Sequence, residues 1–139
     1  MSITFLPTQE IKDEQLTFAV IICSYQGKHV FVRHQERETL ESPGGRRETG
    51  ETIEACARRE LVEETGANSY ELSFKGYYQI GSTTFGALYE ASIEDFGIKP
   101  NSEIAEVIVR ESLPTNWTYP EMQAVLMAKV YLEQGLNQL

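Results

Sequence analysis

The sequence predicts an α/β fold in which one mixed β-sheet is flanked by two helices, and three observations lead there. First, the continuous β-branched and apolar run "LTFAVIICSY" (Leu16 to Tyr25) is followed by Gln26-Gly27-Lys28 and the alternating "HVFVRHQ" (His29 to Gln35), which reads as a hairpin. Second, a loop and a helix, "ESPGGRRETGETIEACARRELVEETGANS" (Glu41 to Ser69), interrupt the strands before they resume. Third, a helical segment closes the chain. Sheet and helices must bury their apolar faces against one another, and layers of helix on sheet are the economical solution.

Each element has its own signals. Strands are expected at "ELSFKGYYQIG" (Glu71 to Gly81), "TTFGALYEASI" (Thr83 to Ile93) and "IAEVIVRESL" (Ile104 to Leu113), with Gly, Ser, Asn and Pro between them, so the sheet has at least five strands. The first helix begins near Thr52, carries Glu54 in its first turn where the helix dipole favours an anion, and stops at Gly66. The second, "YPEMQAVLMAKVYLEQG", has Pro120 at its first position, Glu121 in the first turn and Gly135 as its stop. No repeat, low-complexity tract or long linker divides the 139 residues, which are expected to form one domain over 1–139.

Composition narrows the function. A hydrophobic content of 41% with 24% charged residues is globular, and no stretch approaches the roughly 18 consecutive apolar residues of a membrane helix. The N-terminal "MSITFLPTQEIKDE" lacks a basic segment, apolar run and small-residue cleavage site, so a cytoplasmic location is expected. In that compartment the Asn116-Trp117-Thr118 sequon has no role, and Cys23 and Cys56, without CxxC spacing, are expected to be buried and reduced. A formal charge of −9 disfavours nucleic acid polymers and anionic membranes, which need a basic surface. Small phosphorylated ligands remain open, because a bound divalent cation inverts the local field.

The first helix mixes acids with small apolar residues. At about 100° per residue, Ile53, Ala57 and Leu61 form a stripe flanked by Cys56 that should face the sheet. Glu60 and Glu64 fall within about 40° of one another near that stripe, with Glu63 at its margin. Carboxylates bordering a core repel one another and are costly to desolvate, so they need a compensating cation. Arg59 can reach Glu63 or Glu51, whereas Arg58 points away. Two readings follow from the pattern: a solvated Glu/Arg surface, or oxygen ligands for a hard ion such as Mg²⁺ or Mn²⁺ whose remaining shell is water and phosphate.

The spacing carries a resemblance. Gly45, five residues, Glu51, seven residues, Arg59-Glu60-Leu61, Val62, Glu63-Glu64, Thr65 and Gly66-Ala67 are similar to the Nudix box GX5EX7REUXEEXGU of the MutT-like pyrophosphohydrolases, with Ala67 as the final apolar residue and Pro43-Gly44 before it. The resemblance implies an α/β/α sandwich with a mixed sheet, in which a loop, helix and loop grip metal-bound diphosphate. It also implies that Glu60, Glu63 and Glu64 form the Mg²⁺-binding cluster (Mn²⁺ substituting), with Glu64 the strongest ligand and Glu60 a ligand or base. Gly45 would offer its carbonyl, and Arg59 and Glu51 would hold the loop and orient the acids. An acid outside the box often joins this set, and Glu103 in "NSEIAEV" is preferred over Glu106.

The activity so implied is hydrolysis of the diphosphate linkage of a nucleoside diphosphate derivative. A nucleoside triphosphate, including an oxidised purine, cut to monophosphate and pyrophosphate is preferred over a sugar nucleotide or dinucleoside polyphosphate. Among Arg33, Arg37, Arg46 and Arg47, Arg33 and Arg46 are the favoured phosphate contacts, and Glu41 is placed to read a base edge. Tyr77, Tyr78, Phe85 and Tyr89 read as packing, and His34 receives no role. A noncatalytic nucleotide sensor on this fold would be expected to have lost box acids. A Ca²⁺ module lacks its DxDxDG-type loop, an isomerase offers no recognisable nucleophile, and self-association as a homodimer stays open.

Overall fold

The computed structural model describes residues 2–7 and 11–137. Its centre is the apolar run of the expected hairpin. With no polar face to offer water, β2 (Phe18–Tyr25) has to be covered on both sides, and it lies inside a seven-stranded sheet. The other strands are β1 (Ile3–Leu6), β3 (Lys28–His34), β4 (Gly44–Arg46), β5 (Ala67–Ile80), β6 (Thr84–Phe96) and β7 (Ile104–Arg110). Their order is β1-β5-β6-β2-β3-β7, with β4 on β2. β2 and β6 run parallel from the pair Phe18 and Gly86 to the pair Tyr25 and Ile93, while the other pairings are antiparallel. The sheet is therefore mixed, as expected.

One edge of β2 is shared. Cys23 to Tyr25 pair with β3 through a tight turn in which Gln26 and Gly27 both have positive φ, 50° and 76°. Beyond that point β3 diverges toward β7, and Phe18 to Val20 pair instead with Arg46 to Gly44 of β4. The vacated edge of β2 thus draws the glycine-rich loop into the sheet.

Helix α1 (Ile53–Thr65) keeps the predicted limits. Thr52 caps it, its Oγ1 accepting from Ala55 N at 3.1 Å, and Asp13 accepts from Ile53 N at 3.2 Å. Gly66 ends it in the left-handed conformation that a side chain would disfavour. Ile53, Cys56, Ala57 and Leu61 bury against Ala19, Ile21 and Cys23 of β2 and Ala87, Tyr89 and Ala91 of β6. Across the sheet, Ile22, Phe31, Tyr78 and Leu88 meet Leu126, Met127 and Val130 of α2 (Pro120–Asn137). Two cores, one on each face, give the α/β/α sandwich.

The differences from expectation are local. β1 and β4 escape sequence reading because one is four residues long and the other is Gly-Gly-Arg, a poor strand former held by pairing. β5 starts at Ala67, directly after the helix cap, because β6 offers a partner as far as Phe96. The free Cys23 and Cys56 are both buried, and Tyr77, Tyr78, Phe85 and Tyr89 all pack in the cores. Among the described residues, no helix is long and apolar enough to cross a membrane.

Tyr78 crosses the sheet face over Gly86, its partner on β6, and a Cβ at Gly86 would overlap the phenol ring. The Tyr78 hydroxyl is buried without a hydrogen-bond partner among the described residues. An unpaired buried hydroxyl costs about 1–3 kcal/mol. Tyr78→Phe should therefore hold or raise Tm, and Gly86→Ala should lower it by several degrees, both read by thermal unfolding. A large loss of stability in Tyr78→Phe would show that the hydroxyl has a partner after all.

Candidate active site

Arg59 is the hub of the acids. Its Nε and Nη2 donate to the two oxygens of Glu51 at 2.7 and 2.9 Å, a bidentate pair that links helix α1 to the loop before it. Nη1 donates to Glu60 Oε1 at 2.8 Å and to Glu63 Oε2 at 3.3 Å, and Nη2 also reaches the carbonyl of Arg46 at 3.1 Å. The hydrogen bond from Arg59 holds the Glu51 carboxyl down at about 2. Glu51 in turn accepts from Glu48 N at 3.1 Å, closing the turn at Gly50. Arg58 stays outside this set, 3.5 Å from Glu54 and over the Tyr70 ring.

Glu64 has no such relief. It is 7% exposed, and Gly44 N donates to its Oε1 at 2.9 Å. Burial, reinforced by the charges of Glu60, Glu41 and Glu63, pushes its carboxyl up to about 8. Burial also raises Glu60, with Arg59 opposing the shift. Gly45 makes room for this carboxylate, since a Cβ there would lie 2.5 Å from Glu60 Oε1. Three acids of one helical turn and two glycines of β4 thus share one place in the fold.

A cavity of about 710 Å³ opens beside Gly44 and Gly45 on the α2 side of the sheet. Phe18, Val20, Tyr78, Met122 and Leu126 supply apolar wall, and Glu41, Ser42 and Gln123 supply polar groups. Glu41 Oε1 accepts from Arg37 Nη1 at 3.1 Å and stands 3.3 Å from His34 Nε2. Arg37 lies over the ring of Tyr119 at the same wall.

The structure gathers Gly45, Glu51, Arg59, Glu60, Glu63 and Glu64, and adds Glu41 through the cavity wall. It does not bring Glu103 to them. That side chain is 92% exposed, 3.9 Å from His34 Nδ1, whereas Glu41 lies in the cavity wall. Arg33 is engaged with Glu106 at 3.3 Å and the Arg37 carbonyl at 3.1 Å, and it does not line the cavity. Arg46 is exposed with its guanidinium 5.0 Å from the ring of Phe18, a cavity residue, and does not itself line the cavity. Arg47 binds the carbonyls of Leu16, Glu14 and Glu51, which makes it a brace for the loop. Sequence reading missed Ser42 and Gln123, and left His34 and Arg37 unassigned. Ser42 and Gln123 meet across 81 positions, which no local spacing marks, whereas Arg37 and Glu41 stand at i and i+4.

Among the described residues, no three His, Cys, Asp or Glu side chains form a ready-made metal-holding group. The donor chemistry nevertheless fits a hard divalent ion. Glu64 is a buried carboxylate with a single short backbone donor, crowded by like charges that a cation would relieve, and Gly45 lacks the side chain that would block its neighbour.

Residues 13–126 match the NUDIX domain family, and the chain belongs to the Nudix hydrolases. Such enzymes generally use divalent metals such as Mg²⁺. Over 60 residues the chain is 40% identical to YtkD of Bacillus subtilis, provisionally named an 8-oxo-dGTP diphosphatase, a match spanning 43% of this chain and 37% of YtkD. It is 30% identical over 124 residues to a MutT-like protein of Streptomyces ambofaciens, covering 89% of this chain and 76% of that one. A crystal structure of a point mutant of the Bacillus subtilis pyrophosphohydrolase BsRppH superposes with a TM-score of 0.77, 23% identity, and 95% and 90% coverage of the two chains, a likeness of fold.

The raised Glu64 carboxyl has a consequence for stability. The folded state holds this proton up to about pH 8, whereas an unfolded glutamate releases it near its ordinary value of 4.5. The contribution is fully present below that ordinary value and is lost as pH rises through the folded one. Metal-free protein should show a Tm that falls between about pH 5 and 8, and Glu64→Gln should flatten that slope. An unchanged slope in the variant would assign the dependence elsewhere.

Proposed function

We propose that the chain, acting as one domain over 1–139, is a Mg²⁺-dependent pyrophosphohydrolase that cleaves a nucleoside triphosphate to monophosphate and pyrophosphate, with an oxidised purine triphosphate as the preferred substrate. The observation that carries this reading is continuity: the acids of α1 and the apolar cavity meet at Gly44 and Gly45. A base in the cavity would leave its phosphates beside the carboxylates.

Glu60, Glu63, Glu64 and the Gly45 carbonyl would hold Mg²⁺ or Mn²⁺. When bound, such ions neutralise phosphate charge and lower the pKa of water. Arg59 and Glu51 fix the acids by the bidentate bridge already described. Glu60, if not a metal ligand, would accept the proton of an attacking water, a role supported by burial that leaves its carboxyl more basic than an ordinary glutamate. Arg46, beside Phe18 of the cavity, would contact phosphate oxygens, and the apolar wall would exclude water from the base.

Glu41 supports the oxidised purine. An 8-oxopurine carries an N–H at position 7 where the normal base has an acceptor, and a half-buried carboxylate accepts that hydrogen while repelling a lone pair. His34 and Arg37 keep this carboxylate paired in the wall. The name of the YtkD relative agrees with this choice.

Pyrophosphate release should be measured with 8-oxo-dGTP, dGTP, a sugar nucleotide and a dinucleoside polyphosphate, each with Mg²⁺ and with EDTA. The reading expects Mg²⁺-dependent release, highest for 8-oxo-dGTP. Glu64→Gln should lower kcat by about a hundredfold or more with an unchanged circular dichroism spectrum, and Arg59→Ala by about tenfold. Full turnover by Glu64→Gln would remove its ligand role. Tight nucleotide binding without hydrolysis would mark a sensor.

A further inference from the structure

The segment from Leu40 to Arg46 runs from the cavity wall to the acids, and backbone partners hold nearly all of it. Leu40 N donates to Asn116 O and Leu40 O accepts from Thr118 N, each at 2.9 Å. Glu41 exchanges both bonds with Val32 at 2.9 and 3.1 Å, and Pro43 O accepts from Ile21 N at 2.9 Å. Gly44, Gly45 and Arg46 pair with β2.

At Ser42 the tie is a side chain. Gln123, one turn into α2, accepts from Ser42 N through Oε1 at 3.2 Å and donates from Nε2 to Ser42 Oγ at 2.8 Å. Both residues are buried, at 7% and 6% exposure, so water does not readily replace either bond. Two residues further on, Gly44 N meets Glu64, and the next residue makes room for Glu60. A shift at Ser42 passes to Gly44 through Pro43 alone, whose ring fixes φ. It would therefore be felt at both contacts.

We propose that Gln123 is a positioning residue whose two bonds to Ser42 hold the Gly44 and Gly45 backbone in register with Glu64 and Glu60. Its kinetic consequence rests on the hydrolase reading, and its structural consequence does not. Gln123 also lines the cavity, so a direct contact with the base is the competing role.

The experiment combines two readouts on Gln123→Ala, Gln123→Glu, Ser42→Ala and the double variant Ser42→Ala/Gln123→Ala. Amide hydrogen exchange at Gly44 is followed by NMR in metal-free protein without nucleotide, and kcat and KM are measured with 8-oxo-dGTP and Mg²⁺. Gln123→Ala should speed Gly44 exchange about tenfold and lower kcat about tenfold, with KM changed less than about twofold. Gln123→Glu should recover most of both, because its carboxylate can accept from Ser42 N and from the Ser42 hydroxyl. Adding Ser42→Ala to Gln123→Ala should cost nothing further, since the pair acts as a unit. Unchanged Gly44 exchange, a rise in KM with kcat intact, or multiplying effects of the two substitutions would overturn the assignment. If wild-type protein hydrolyses no nucleotide, the hydrolase reading fails while Gly44 exchange still decides the clamp. If Gln123→Ala does not fold, Ser42→Ala and Gln123→Glu carry the same comparison.

Discussion

One guanidinium organises the site. Arg59 commits Nε and Nη2 to the two oxygens of Glu51 in a fixed bridge and has Nη1 for Glu60 and Glu63. The bridge ties the loop before α1 to the middle of the helix, so the positions of the acids follow from it. It does not extend to Glu64, which receives a backbone N–H and, among the described residues, no side-chain cation. That buried carboxyl, beside Glu60 and Glu63, is where a divalent ion would act by favouring its ionised form.

The sheet supplies the second half of the geometry. β2 is apolar on both faces, which fixes helices above and below, and its edge is free near Phe18 because β3 turns away. A glycine-rich strand can enter there, and glycine is needed because carboxylates from α1 approach its backbone closely. The acids lie on the α1 side and the cavity on the α2 side. β4 and the residues before it are the physical connection between them.

Stability and function pull against one another in this region. A carboxyl held at about 8 in the folded protein is a cost to folding at neutral pH, and packing elsewhere must exceed it. On the α1 side the packing is close because small residues, Ala19, Ala57, Ala87 and Ala91, let the helix lie against the sheet. The apolar stripe of α1 and its acidic edge are therefore adjacent, and the helix serves both.

By itself the sequence determined five of the strands, both helices and the box. The limits of α1 follow from Thr52 and Gly66, its buried stripe from helical periodicity, and the reach of Arg59 to Glu51 and Glu63 from positions a few residues apart, all of which are local relations. Tertiary structure decided what joins them. β4 is a strand because β2 leaves an edge for it, not because Gly-Gly-Arg favours one. Arg33 is turned to Glu106 by the pairing of β3 with β7, Arg47 is turned to backbone carbonyls by the turn at Asp13–Gln15, and Glu103 is kept at the surface while Glu41 enters the wall. Gln123 meets Ser42 across 81 positions. Such contacts depend on where separate elements dock, and a one-dimensional pattern carries no record of that.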